Sequence, residues 1–354
     1  MSDRKIREAI GNRQNICFAV LLGCILVIVA YLAWFLRDTI LACHDSMLAF
    51  ANARTMELPK LFRINLNYDL ARGRACLLFP LVATFRDLIL KTGSYPLIWM
   101  LQYVPIIANV TLLSVLLGRR FGRFVGGLTA LLFFVFLQID IYHSLIICYP
   151  LDFMYGLFCF QMSVCFFLRY VEGVAAGRKS RGQGFWAVLS AVLYYESLVV
   201  YESFLTSVIV FAILSLAYAV KMRAGQGFRS VLKTTFRFLG PYLAVSSLYL
   251  LIYILLRMFP VTSVSAIAFE TQGTVEGFVQ TWSGFATNMF PMHEFFDNHM
   301  YTLGPSIWQG YRFAWVAGVA AAVGAIAAIR GMFYEFATED AKKNISLRVR
   351  LGIA

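Results

Sequence analysis

Eight apolar runs, near residues 16–36, 96–118, 124–139, 145–168, 184–196, 202–220, 238–259 and 313–329, govern what this chain can fold into. A helix needs ~20 apolar residues to cross the hydrocarbon core of a bilayer. Because no water is present there to satisfy backbone amides and carbonyls, helices are the form such runs take. The 354 residues are 60% hydrophobic and only 14% charged, against roughly 25% charged in soluble domains. The expectation is therefore an all-α, polytopic integral membrane protein with about eight transmembrane helices in a single membrane domain over residues 1–354. The first run, Ile16 to Leu36, is longer than a signal-peptide core and reads as a retained anchor.

Basic residues mark the cytoplasmic ends of membrane helices. With eight spans, twenty-one of the thirty-one Lys and Arg fall on one side, in residues 1–15, the "GRRFGR" turn, the stretches after 168 and 220, and the tail from 330 to 354. Both termini are thus expected in the cytoplasm. The net charge of +12 follows largely from this topology, and no nucleic-acid partner is implied. The opposite side receives two long segments, 37–95 and 260–312; together with the shorter outer turns they place all four histidines and most of the acids on that side.

The 37–95 segment mixes apolar stripes with eight basic and five acidic residues, too many to span. Amphipathic helices lying at the membrane interface fit it, one near 38–54 and another near 74–91. The 260–312 segment holds His293, Glu294, Asp297 and His299 within seven residues, without the HExxH spacing of a zinc helix. Seven cysteines match no zinc or redox spacing, and a Cys43–Cys76 disulfide stays open. In "YYESLVVYESF", Glu196 and Glu202 lie inside a run of about 37 residues, right for two spans. A helical hairpin is expected, its turn carrying Tyr195, Glu196, Tyr201 and Glu202 to the outer surface.

Several of these features, in this order, resemble the GT-C superfamily of membrane glycosyltransferases. The features are His44-Asp45 after the first span, the amphipathic loop, "ARGRACLLFPLVATFRDLIL" with its "GR", Gly93, "GRRFGR", and Asp140 near the outer end of the third span. The "GR" and the repeated tyrosine-acid motif are most similar to bacterial O-antigen-modifying glucosyltransferase-like proteins. The resemblance covers roughly the first 220 residues. One departure is that Asp45 is followed by Ser46, where many members carry a second acid.

The resemblance implies transfer of a sugar from a polyprenyl-phosphate donor to an extracytoplasmic glycan or lipid acceptor, in a bacterial inner (plasma) membrane. It implies Asp45 as the base that activates the acceptor hydroxyl; the alternative is that Asp45 caps an interfacial helix. Arg72, Arg74 and Arg257 are candidates for the donor phosphate, because guanidinium forks onto phosphate oxygens; snorkelling to headgroups is the alternative. His44, Asp140, Asp152, Tyr195, Glu196, Tyr201 and Glu202 are expected to line the cavity, bind sugar hydroxyls or pair with those arginines. No cofactor follows from the residues, and a divalent metal stays open. Membrane lipids are the remaining partners. Two other functions are weighed: a transporter or flippase for a lipid-linked saccharide, and an inactive assembly partner of the same fold.

Overall fold

A computed structural model describes residues 3–35, 44–135, 151–177, 181–200, 202–223, 227–258 and 315–335. Every regular element among them is a helix: α1 (Asp3–Phe35), α2 (His44–Thr55), α3 (Leu58–Ala71), α4 (Phe79–Thr92), α5 (Tyr95–Phe121), α6 (Arg123–Val135), α7 (Asp152–Ala175), α8 (Arg181–Val200), a 3-10 turn (Glu202–Ser207), α9 (Val208–Met222), α10 (Phe228–Met258) and α11 (Trp315–Glu335). Seven of these carry segments long and apolar enough to cross a membrane, and α6 is a shorter apolar helix. Large apolar side chains stand exposed along them, such as Leu26 (67%) and Ile213 (62%). In water such faces would be costly, whereas in lipid they are in their own solvent. The chain is an all-α integral membrane protein.

The chain forms two compact units. One comprises residues 1–40, 110–138 and 271–354, the other 41–109 and 139–270, so that α5 is divided between them at Asn109. In the first unit, α6 packs on α1, where Gly127 leaves room for Leu21. The backbone of α6 also approaches α5 closely, with Gly126 against Ser114 O and Gly118 Cα. Small residues allow this approach, and close packing is what holds helices together in lipid. Arg123 binds Asn15 Oδ1 at 3.1 Å and Glu335 Oε1 at 3.6 Å, joining α6 to both α1 and α11.

The second unit is built on α7 paired with α8 and on α9 paired with α10. Its interior is aromatic: Phe211 and Tyr242 stack with centroids 3.9 Å apart, and Phe167 meets both rings edge-on. Hydroxyls knit the same layer, with Ser163 donating to Ser190 O at 2.6 Å, Ser190 to Ser163 O at 2.7 Å, and the Ser190 and Tyr242 hydroxyls 2.6 Å apart. On α5, Asn109 Nδ2 donates to Met154 O at 2.9 Å, which fixes the first turn of α7.

The 44–92 segment forms three short helices rather than the two expected, of 12, 14 and 14 residues. The unexpected one is α3. Proline near the start and glycine just past the end bracket both α3 and α4, an asymmetry that fits the missing Pro N–H and the left-handed freedom of Gly. Pro59 and Gly73 (φ +83°) do this for α3, Pro80 and Gly93 (φ +65°) for α4. Arg54 of α2 reaches the Lys91 carbonyl at 3.3 Å, while Lys91 Nζ reaches back to Met56 O at 2.7 Å.

One sequence expectation is corrected by α8. The turn does not carry Tyr195 and Glu196, because α8 continues as a helix to Val200 and the 3-10 turn follows at Glu202. Those 20 residues of α8 already make a full span, so nothing forces a break at 196. Asp152 is the first residue of α7, preceded by Leu151 at φ +77°. A leucine in that region is an outlier, and the acid at N1 suits the positive end of the helix.

Candidate functional site

The α3–α4 connection is anchored by the end of α8. Glu196 is fully buried, and its Oε1 accepts from Leu77 N at 3.0 Å and Leu78 N at 3.2 Å, while its Oε2 accepts from Tyr155 OH at 3.2 Å. Leu78 is the N-cap of α4 and has no side-chain acceptor of its own. Helix N-termini leave amides without partners and carry partial positive charge, so a carboxylate from another helix is a suitable substitute cap. Among the described residues the partners of Glu196 are amides and a phenol, where pairing with arginine is one of the alternatives expected from the sequence. The neighbouring Tyr195 donates to Ala75 O at 2.9 Å. Cys76 is a free thiol, 3.6 Å from Arg74 O and 4.0 Å from Val199 O. Burial pushes that thiol up, with Asp69 and Glu196 adding to the effect.

Below this anchor lies a charged cluster drawn from α3, α4 and α7. Arg86 is the bridge: Nε and Nη2 each reach Asp87 Oδ1 at 3.1 Å, and Nη1 pairs with Asp152 Oδ2. Asn65 donates to Asp87 Oδ2 at 2.8 Å. Burial alone would lower the Arg86 pKa, but Asp152 and Asp87 outweigh it and hold the guanidinium above its ordinary value.

The remaining members are Asp69, Arg72 and Arg74. Asp69 is 3% exposed and Arg74 8%. The Arg72 guanidinium lies 4.0 Å over the Tyr68 ring. Backbone bonds shape the turn, with Gly73 N donating to Leu70 O at 3.0 Å and Arg74 N to Asp69 O at 2.9 Å. Burial raises the Asp69 carboxyl to about 7, with Asp152 adding to the rise and Arg74, Arg72 and Arg86 opposing it.

This shift has a definite sign in stability. Between about 4 and about 7 the folded chain keeps a proton on Asp69 that the unfolded chain has lost. Stability therefore falls as pH rises through that window and is level above it. In Asp69→Asn this slope is expected to vanish. Thermal midpoints of both proteins in lipid nanodiscs from pH 4 to 8 provide the check: the variant should gain on wild type up to pH 7 and no further. A constant difference across the window would be inconsistent with this burial effect.

The structure thus joins Arg72, Arg74, Asp152, Tyr195 and Glu196, all expected as site residues, and adds Asp69, Asn65, Arg86, Asp87 and Tyr155. It does not bring in all the others. His44 and Asp45 open α2, Glu202 opens the 3-10 turn and Arg257 lies in the last turn of α10, but their side chains lie outside the described residues. Asp140, Tyr201 and the 293–299 histidine-acid group lie outside them altogether. Among the described residues, no three His, Cys, Asp or Glu side chains assemble as metal ligands. The additions carried a weak signal: adjacent opposite charges in "FRDLIL" read as an amphipathic surface, and only tertiary contact makes them a bridge. Comparison of the chain with family models, curated proteins and solved structures returns no match.

Proposed function

We propose that this protein is a membrane glycosyltransferase, moving a sugar from a polyprenyl-phosphate donor to a glycan or lipid acceptor on the extracytoplasmic face of a bacterial inner membrane, with both termini in the cytoplasm. One observation carries the reading. The "GR" turn and the tyrosine-acid motif, about 120 residues apart in sequence, meet directly through Glu196 and Tyr195 beside a buried cluster of acids and arginines. Unpaired charge is expensive inside a membrane protein, so buried ionisable clusters there are retained chiefly where they act. Guanidinium groups at the turn suit a departing lipid phosphate, and held rigid in a dry site they stabilise developing charge. Asp45, at the start of α2 in the same unit, is the proposed base.

The test is transfer by the purified protein in lipid, offered a panel of polyprenyl-phosphate sugars. Asp45→Asn should lower turnover about 10²- to 10⁴-fold, the range for a general base, with the thermal midpoint unchanged. If wild type binds the donors intact but never turns them over, the transporter or inactive-partner reading replaces this one.

A further inference from the structure

Each carboxylate of the cluster can be matched with its donors. Glu196 has two amides and a phenol, Asp87 has Arg86 and Asn65, and Asp152 has Arg86. Two oxygens of the cluster are buried without a hydrogen-bond donor among the described residues, Asp152 Oδ1 and Asp69 Oδ2; Asp152 is held through its other oxygen by the ion pair with Arg86, whereas Asp69 stands at the Arg72–Gly73–Arg74 turn, its main-chain carbonyl accepting from Arg74 N. A buried acceptor left in this state is costly unless it is neutral or finds a donor. The charged and titratable groups acting on Asp69 are Arg74, Arg72 and Cys76 from its own segment, Arg86 from α4 and Asp152 from α7. Two further helices touch α3: Arg54 of α2 turns instead to the Lys91 carbonyl, and the Arg257 side chain of α10 lies outside the described residues.

The turn just beyond Asp69 presents two arginines on either side of Gly73, whose left-handed backbone lets the chain reverse. An anion received there would share those guanidiniums with the Asp69 carboxylate. Two negative charges a few ångströms apart in a medium of low dielectric repel strongly. A proton on Oδ2 removes the repulsion and turns the orphaned acceptor into a donor.

We propose that the Arg72–Gly73–Arg74 turn binds a phosphodiester anion and that Asp69 takes up a proton as the anion binds; this rests on the lipid-phosphate donor reading above. The uptake makes affinity depend on pH. Binding is level at acid pH, where Asp69 already holds its proton, and weakens by about tenfold per pH unit once it does not. No covalent step is involved, and the proton comes from solvent and returns to it on release.

The probe is farnesyl methyl phosphate, a prenyl phosphodiester whose single charge does not titrate in the working range. It is titrated calorimetrically into the full chain in zwitterionic nanodiscs, in two buffers of different ionisation enthalpy, from pH 6.5 to 8.5. Wild type should take up close to one proton per anion at the alkaline end, with affinity falling about tenfold over the last pH unit. Asp69→Asn should bind with no uptake and an affinity constant across the range. A parallel arm with short-chain phosphatidylglycerol separates the sources: a prenyl preference supports a donor site, and equal binding with the same uptake supports a headgroup site of the same chemistry. Binding by wild type without proton uptake would overturn the inference and leave the donor reading standing. Uptake that persists in Asp69→Asn overturns the assignment to Asp69. Absence of any binding by folded wild type overturns the inference together with the phosphate reading beneath it.

Discussion

Replacing Glu196 with alanine should destabilise the protein by about 2–4 kcal/mol and free the 72–78 connection. The estimate comes from three lost bonds, two of them to amides at the start of α4 that have no other acceptor in reach, each orphaned donor costing roughly 1–3 kcal/mol when kept from water. The total is set below the full sum because Leu77 and Leu78 are exposed enough for some rehydration. Glu196→Gln should cost about 1 kcal/mol, since its carbonyl oxygen still faces the two amides and only the charge assistance is lost. Limited proteolysis at Arg72 and Arg74, with thermal midpoints in nanodiscs, provides the measurement. If Glu196→Ala is cleaved no faster than wild type, the cap is not what holds the turn.

Arg86→Leu should be at least as damaging, at about 3–5 kcal/mol, because it leaves Asp87 and Asp152 facing each other without the cation between them. The guanidinium cannot be replaced by lysine at full value, since its fork reaches two carboxylates at once. Combining Arg86→Leu with Asp152→Asn should return part of the loss, and the double-mutant cycle isolates that coupling. Additive losses in the cycle would mean that the bridge contributes nothing beyond the packing of its aliphatic stem.

How far the molecule could be read from its sequence depended on which interaction wrote the signal. The spans were legible because hydrophobicity over some twenty residues is a local property. Residues 58–71, in contrast, carry Lys60, Arg63, Asn65, Asn67 and Asp69, which reads as polar loop; the Pro59 and Gly73 brackets were the cue that would have revealed α3. Glu196 stood out by its charge in an apolar run, but its setting was misread as a surface turn. Its true partners are backbone amides 118 and 119 residues away, and a main-chain N–H leaves no mark in the sequence. Arg86 and Asp152 are separated by 66 residues and have no shared motif. Local patterns placed the helices, while the pairings that make the cluster are long-range and were not legible.

The reach of the Glu196 cap also imposes an order on biosynthesis. Chains leave the ribosome at about 5–20 residues per second, so the Leu77 amide waits roughly 6–24 s after its own synthesis before the residue that accepts from it, 119 positions later, exists. Until Asp152 follows and pairs with Arg86, the three short helices α2 to α4 have chiefly one another to pack on. A late-arriving span then closes the assembly, and any truncation before residue 196 leaves the turn and its arginines without their fastening.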